Sequence, residues 1–559
     1  MKIVTDNPCL QSNASLGIDQ ACLSIVNEID HQVSFYSNPS ECYLCDGLFQ
    51  GNLSANSNTT MVISTKYPMH MYYIDKYEVC HSTYSFKETG KYGWNFTKGS
   101  CSSIYTLSEP VSNIYLPIIE ALVIAILTIM VVTLSKIIIR VIRRRRNQER
   151  FDENNDLLPP PNDAVTRTPK TSTRRKSIDA FRGIAIFLMI FVNNGGGEYV
   201  FFTHSAWNGL TLADLVLPWF AWIMGLTIVM STRVELRVTN SRKKIILRCF
   251  RRMMILILLG LSINSRKYLY LSKLRLPGVL QLLGVSYFVC TVLEVTFMKQ
   301  NPHFGRFAFL KDILDNWIQW LIVICIVLVH TLLTFLLPIP NCPKGYLGPG
   351  GYHCRGKYIN CTGGAAGYID RLVFGNHIYQ KTDNLAYGTI LPQDPEGLMN
   401  TISAILIVHL GMQAGRILFS HYQDNYKLIR WLLWSLLTGI IAGILCNFEK
   451  EGGIIPVNKK MMTLSFVLCT SSLAFLLYAL LYFVIDYKRY WNGGGFIPAG
   501  ANSILLYLGH SLLHIFPFNW KIIGVSTHGL ALGINLWTTV VWLTIATILY
   551  KKDIIITVK

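Results

Sequence analysis

A chain of 559 residues in which 51% are hydrophobic and 15% charged is too apolar to be a soluble protein of ordinary composition. Its formal net charge of +19 invites a nucleic acid as partner, but the cations gather at the ends of apolar runs, the pattern of cytosolic loops between membrane spans. Nucleic-acid binding is therefore not expected. ATP-driven transport is disfavoured too, because no P-loop and no dinucleotide-binding glycine motif joins a strand to a helix.

The first element is a head of residues 1–112. Its opening, MKIVTDNPCLQSNAS, lacks the apolar stretch of a signal peptide, so either the N-terminus is incomplete or a later span drives insertion. Runs such as MVISTKY and HMYYIDKY, punctuated by Gly, Asn and Ser, predict a small all-β domain. Cys9, Cys22, Cys42, Cys45, Cys80 and Cys101 are an even set, accompanied by N-x-S/T acceptors at Asn13, Asn52, Asn58 and Asn95. Together they place the head in an oxidising, glycosylating compartment, its cysteines as disulfide candidates. The lone CxxC of Cys42 and Cys45 reads as disulfide partners rather than as a zinc half-site, and no metal is expected.

Apolar runs of about 18 residues follow. The first is a span at 113–142. Residues 143–177, RRRRNQERFDENNDLLPPPNDAVTRTPKTSTRRKS, read as a disordered basic, proline-rich cytosolic linker. Residues 178–559 hold ten further spans, beginning near residues 182, 211, 249, 277, 314, 397, 428, 461, 497 and 530. The fold class is thus a mainly α polytopic membrane protein of about eleven helices with a small all-β head. Arg143–146, Arg174, Arg175 and Lys176, and the cluster Arg242, Lys243, Lys244, Arg248, Arg251 and Arg252, mark cytosolic ends. The head then lies outside the cytosol and the tail from Lys551 within it, while Arg266, Lys267, Lys273 and Arg275 fall on the unexpected side. A long loop at 339–396 carries an acceptor at Asn360 and an odd set of disulfide candidates, Cys342, Cys354 and Cys361.

The chemistry concentrates in RGIAIFLMIFVNNGGGEYVFFTHSAWNGLTLADLVLPWFAWIMG, residues 182–225. Polar and ionisable groups inside or beside apolar spans are costly and by default functional, which singles out Asn193, Glu198, His204, Asn208 and Asp214. The run Gly195, Gly196 and Gly197 permits close backbone approach to a ligand. A helix beginning near Thr211 turns Asp214 back toward His204, and a histidine oriented by a carboxylate with an amide nearby suits acyl transfer. His204 is then the general base and Asn193 the oxyanion donor; His204 as nucleophile of an acyl-imidazole is the other possibility. Trp207, Trp219 and Trp222 read first as belt or packing residues. His409 and His510 lie in spans as packing residues or proton carriers.

IDAFRGIAIFLMIFVNNGGGEYVFFTHSAWNGLTLADLVLPWF, and after it RLPGVLQLLGVSYF, GYLGPGGY, NCTGGAAGYIDR, DPEGLMNTISA, IPVNKK, NSILLYLGH and FPFNWK, closely resemble the lysosomal heparan-α-glucosaminide N-acetyltransferase family, in the same order. The resemblance implies an eleven-span homodimeric enzyme of the lysosomal membrane that moves acetyl from cytosolic acetyl-CoA to the terminal glucosamine of heparan sulfate. It implies catalysis by His204 with Asn193; Asp214 completes the expected catalytic set. The D-x-x-R-G signature, Asp179 to Gly183, marks only the wider acyltransferase superfamily. Asp179, Arg182, Gly195, Gly196, Gly197, Trp207, Asn208, Arg275, Gln281, Asn502, Ser503 and His510 form the expected substrate- and cofactor-binding set. Leu282 stands where the family has arginine, and His409 where it has an apolar residue. Acyl transfer to another glycan and secondary transport of an anionic metabolite are the alternatives.

Overall fold

The computed structural model describes residues 9, 16–74, 79–110, 113–154, 175–239, 241–265, 270, 272, 274–298, 310–379, 386–513, 515–518 and 527–556. Asn13, most of the linker, and Arg266, Lys267 and Lys273 lie outside them.

The head is all β. Its strands are β1 (Gln20–Asn27), β2 (Val33–Pro39), β3 (Leu48–Leu53), β4 (Ser57–Ser64), β5 (Met69–Ile74), β6 (Val79–Tyr84), β7 (Lys91–Thr97), β8 (Ser100–Cys101) and β9 (Tyr105–Ser108). One sheet runs β4-β1-β7-β8 with β9 also on β7, and the other runs β3-β2-β5-β6. Alternate residues face inward, as the two-residue period of a strand requires, burying Leu23, Ile25, Phe35, Tyr73, Trp94 and Phe96. Phe35 meets Trp94 at 6.3 Å and Tyr73 meets Phe96 at 4.3 Å between ring centroids, so the sheets close on each other as a sandwich. All six cysteines of the head pair, as Cys9–Cys22, Cys42–Cys45 and Cys80–Cys101. The last ties β6 of one sheet to β8 of the other. Asn52 and Asn58 are exposed and Asn95 half-buried.

The helices are α1 (Leu116–Asn154), α2 (Lys176–Asn193), α3 (Leu212–Thr239), α4 (Arg242–Ser265), α5 (Val279–Phe297), α6 (Lys311–Leu314), α7 (Trp317–Leu336), α8 (Gly364–Phe374), α9 (Leu398–Ser420), α10 (Asp424–Cys446), α11 (Leu464–Leu481), α12 (Phe496–Ala501), α13 (Ser503–Leu512) and α14 (His528–Lys551). Among the described residues eight are long and apolar enough to cross a membrane, namely α1, α3, α5, α7, α9, α10, α11 and α14. The expected count of eleven drops to eight on that measure for a physical reason. The runs near 182, 249 and 497 are helical, but α2 carries Lys176, Asp179 and Arg182, α4 opens with a cluster of arginines and lysines, and the third breaks at Asn502 into α12 and α13. α1 continues to Asn154, so the first part of the expected linker is helical; no glycine or proline interrupts RRRRNQERFDEN.

Two close contacts set the frame of the site. A Cβ on Gly183 would stand 1.9 Å from the Phe496 carbonyl oxygen, and one on Gly500 would stand 1.9 Å from that of Asp179. α2 and α12 therefore cross with backbones touching, the usual work of small residues between membrane helices. The head also sits directly on the membrane domain. Lys450 Nζ meets both Glu41 carboxylate oxygens at 2.6 and 2.7 Å, and the Tyr43 amide donates to Tyr387 Oη. His528, at the start of α14, gives its Nδ1 proton to the Gly197 carbonyl and meets Asp19 and Glu88 of the head through Nε2. In the loop after α7, Cys342 pairs with Cys361. Cys354 is a free thiol, which corrects its place among the disulfide candidates. Asn360, next to Cys361 in the chain, is exposed.

Candidate active site

α2 ends at Asn193 because Gly195, Gly196 and Gly197 follow with φ of 117°, 58° and 72°, a left-handed path that only glycine takes without strain. Two short 3-10 turns then carry the chain to the loop holding His204, and α3 begins at Leu212. Asp214, in the first turn of α3, is fully buried. Its Oδ2 accepts from the Thr211 amide, Thr211 Oγ1 and the Ser205 amide at 3.2, 2.9 and 3.3 Å. Its Oδ1 stands 2.8 Å from His204 Nδ1. A carboxylate saturated in this way is a fixed acceptor, and it sets the histidine's orientation.

Lys459, from the loop between α10 and α11, completes the cluster. Its Nζ is 3.4 Å from Asp214 Oδ1, 2.9 Å from His204 Nδ1 and 3.3 Å from Nε2. A single carbon separates the two ring nitrogens, so an atom this close to both cannot lie in the ring plane. It lies over the face, as a cation over an aromatic ring does. Nδ1–H then donates to Asp214, since a carboxylate only accepts. Nε2 keeps its in-plane lone pair, with no in-plane partner among the described residues.

The Lys459 loop is stitched to the His204 loop. Asn208 and Asn458 form an isolated antiparallel bridge, Asn458 Nδ2 donates to Asn208 Oδ1 at 3.0 Å, and the Gly209 amide donates to the Val457 carbonyl at 2.8 Å. Asn208 Nδ2 donates to Glu451 at 2.6 Å, whose carboxyl is raised above the usual range by burial. Trp207, also buried, donates from Nε1 to the Leu347 carbonyl at 2.8 Å and packs with Cys42, Tyr387 and Met461. These two residues therefore hold the loop rather than line the cavity.

A cavity of about 400 Å³ opens beside the cluster, within the range of small-molecule sites. α2 and α3 form a hairpin, so Asn193, His204, Ala213 and Lys459 lie at one end, while Arg182, Thr227 and Arg252 line it deeper. From Asn193 back to Arg182 is eleven residues of helix, about 16 Å at ~1.5 Å per residue. Asn193 Nδ2 is 3.1 Å from His510 Nε2. His510 Nδ1 is 2.9 Å from the Leu506 carbonyl, which fixes the proton on Nδ1 and makes Nε2 the acceptor.

The structure distributes the remaining expected residues unevenly. Arg182 and Ser503 line the cavity; Arg182 also donates to Asp179 and to the Gly500 carbonyl. Asp179 is buried. The three glycines face Phe202, Tyr199, Glu198 and Asn535, serving the turn after α2. Arg275 is held by Asp394 at 2.7 and 2.6 Å and by Glu396, of which Glu396 reaches the cavity wall. Gln281 donates to the Leu276 carbonyl, outside the cavity lining. Asn502 bonds the Ile554 carbonyl and the Ile556 amide, pinning the C-terminal segment. Reasoning from sequence missed Lys459, Glu396, Arg252 and Tyr507 on the wall. For Lys459 a signal existed in IPVNKK, which stands out as a polar patch between two apolar runs. Among the described residues no group of three His, Cys, Asp or Glu gathers to hold a metal.

No family model matches the chain. It is 37% identical to the heparan-alpha-glucosaminide N-acetyltransferase of Mus musculus over 588 aligned residues, covering 97% of this chain and 89% of the mouse protein. It is 45% identical to the Homo sapiens protein of the same name over 394 residues, covering 68% of this chain and 59% of the human one. With a hydrogen-bonded histidine and aspartate at the mouth of a membrane cavity, and with likeness along nearly its whole length, this chain belongs to the heparan-alpha-glucosaminide N-acetyltransferase family.

Proposed function

We propose that this chain transfers acetyl from acetyl-CoA to the amine of terminal α-glucosamine in heparan sulfate. The observation that carries the reading is the His204–Asp214 pair, 2.8 Å apart, at one end of a cavity that runs down to Arg182 and Arg252. The cavity fits the donor's chemistry. Its apolar wall of Met189, Val216, Leu217 and Phe220 suits a thin acyl-thioester arm, and the deeper arginines offer charge to phosphates. When bound, acetyl-CoA supplies an activated acyl carbon.

The protein's own groups do the rest. Asp214 holds His204 with its proton on Nδ1, leaving Nε2 to take a proton from the acceptor amine. Asn193 spends one amide proton on His510 and keeps the other for the oxygen that gains charge during attack. His204 then returns its proton to the departing sulfur. We place the head in the lysosomal lumen, with Asn52, Asn58, Asn95 and Asn360 glycosylated and the C-terminus cytosolic. The basic ends of α1 and α4 support this orientation by the positive-inside rule; the homodimer rests on the resemblance alone.

The test is acetyl transfer from radiolabelled acetyl-CoA to glucosamine by purified wild-type and His204→Ala protein between pH 5 and 7. Transfer by wild type alone is expected. A folded wild type that transfers nothing to glucosamine or heparan ends moves the acceptor to another glycan, and uptake of an anion without acetylation replaces the enzyme by a transporter.

A further inference from the structure

Lys459 neither takes nor gives the amine proton in the transfer, yet its position gives it a part in it. Its Nζ lies over the His204 ring and 3.4 Å from Asp214 Oδ1. The side chain is mostly buried and lines the cavity. An ammonium has three donors. Asp214 accounts for one direction, and Lys459 is carried by a loop that the Asn208–Asn458 bridge holds in register with His204. Asn193 enters the same end of the cavity from α2, with part of its hydrogen-bonding capacity committed to His510.

We propose that Lys459 is a catalytic residue of the transfer, the cationic donor to the carbonyl oxygen of the acetyl group. The inference rests on the acetyltransferase reading above. As the amine nitrogen bonds the carbonyl carbon, the carbon–oxygen π pair moves onto oxygen beside Lys459 Nζ. His204 Nε2 takes the amine proton. The oxygen pair then re-forms the carbonyl, the carbon–sulfur bond breaks, and the sulfur leaves with the proton from His204. No oxidant or further reactant is needed, and Lys459 ends as it began. A fixed charge aimed at the developing oxyanion is the kind of group that lowers a barrier in a site sheltered from water. It acts in the transition state, so its loss lowers kcat and leaves the donor KM nearly unchanged.

The experiment compares wild type with Lys459→Met, Lys459→Gln and Lys459→Arg, each first matched for melting temperature. Removing the donor is expected to lower kcat about 10²–10³-fold in Lys459→Met, with Lys459→Arg recovering part of it and Lys459→Gln falling between. A second readout needs no turnover. Acetonyl-dethia-CoA, a ketone that keeps the carbonyl but has no carbon–sulfur bond to break, is bound with a ¹³C carbonyl and its infrared stretch recorded. The band is expected at lower frequency in wild type than in Lys459→Met. A lysine that merely neutralised Asp214 would leave that band in place. An unmoved band, or a Lys459→Met kcat within about threefold of wild type, overturns the assignment. If wild type itself transfers no acetyl to glucosamine, it is the acetyltransferase reading that falls, while the infrared comparison still decides whether Lys459 meets a bound acyl carbonyl.

Discussion

The Asn193 amide gives a hydrogen bond to His510 Nε2 over 3.1 Å, across 317 residues of sequence, and the Leu506 carbonyl fixes which nitrogen of that histidine accepts. His510 thus positions Asn193 without itself being on the cavity wall. Removing the acceptor by His510→Leu frees the amide to rotate, and kcat is expected to fall about tenfold. Asn193→Ala, which removes a transition-state donor, is expected to cost about 10²–10³-fold. The double variant should be no slower than Asn193→Ala alone, because residues that act as a unit are not additive. Steady-state kinetics on the four proteins closes the cycle; additive losses would separate the two residues.

Asp214 accepts from the Thr211 amide and hydroxyl, the Ser205 amide and His204. Asp214→Asn can keep its oxygen on the Thr211 and Ser205 donors while its amide nitrogen turns to His204, which removes the acceptor that keeps the His204 proton on Nδ1. In hydrolytic triads the corresponding change drops kcat by about 10⁴-fold through the wrong tautomer. A fall of about 10³-fold is expected here, with little change in melting temperature. The comparison of kcat and thermal unfolding for one preparation checks it, and near-wild-type turnover would remove Asp214 from the mechanism.

His204 and Asp214 were legible in the sequence because they are ten residues apart, at the two ends of one loop, and an apolar run dates the start of α3. The all-β head was legible from β-prone runs punctuated by Gly, Asn and Ser and from an even cysteine set, but its closing as a two-sheet sandwich was not. Lys459 and His510 lie 255 and 317 residues from their partners, and no periodicity reports which distant loops converge. The triple glycine reads as a place for a ligand. Its positive φ values are instead consumed by the turn that ends α2, and its carbonyl meets His528. Spacing cannot separate those two uses of the same backbone freedom. Arg275, expected among the binding residues, is held by Asp394 and Glu396, partners more than a hundred residues away that its own surroundings in the sequence do not reveal.

Gly500 lets α12 meet α2, and its carbonyl accepts from Arg182 Nη1 at 3.3 Å. A methyl group there would lie 1.9 Å from the Asp179 carbonyl oxygen, so one helix has to move. Gly500→Ala is expected to destabilise by about 3 kcal/mol, the upper end for overpacking, and to raise the donor KM by shifting Arg182 on the cavity wall. Gly533→Ala is the control: nothing stands within 4 Å of its Cβ position, and alanine is the better helix former. Melting temperatures and donor KM of the two variants decide the matter, and equal behaviour would mean that the α2–α12 crossing yields without cost.

Asp370 links acidity to the fold. It lies on α8, is 2% exposed, and its Oδ1 accepts the amide of Leu398, the first residue of α9, at 2.8 Å. Burial pushes its carboxyl up to about 7; the Leu398 amide opposes that rise and Asp394 adds to it. The folded protein therefore holds the Asp370 proton more tightly than the unfolded chain. Stability from this group is fully present below the ordinary carboxyl value of 3.8 and is lost as pH rises through about 7, because the folded state binds more protons across that window. Asp370→Asn keeps the shape and the acceptor oxygen but does not titrate. Between pH 4 and 7.5 the melting temperature of wild type is expected to fall relative to that of Asp370→Asn, with the gap widest above pH 7. Melting curves of both proteins at half-unit steps test this, and parallel curves across the window would show that Asp370 ionises without strain.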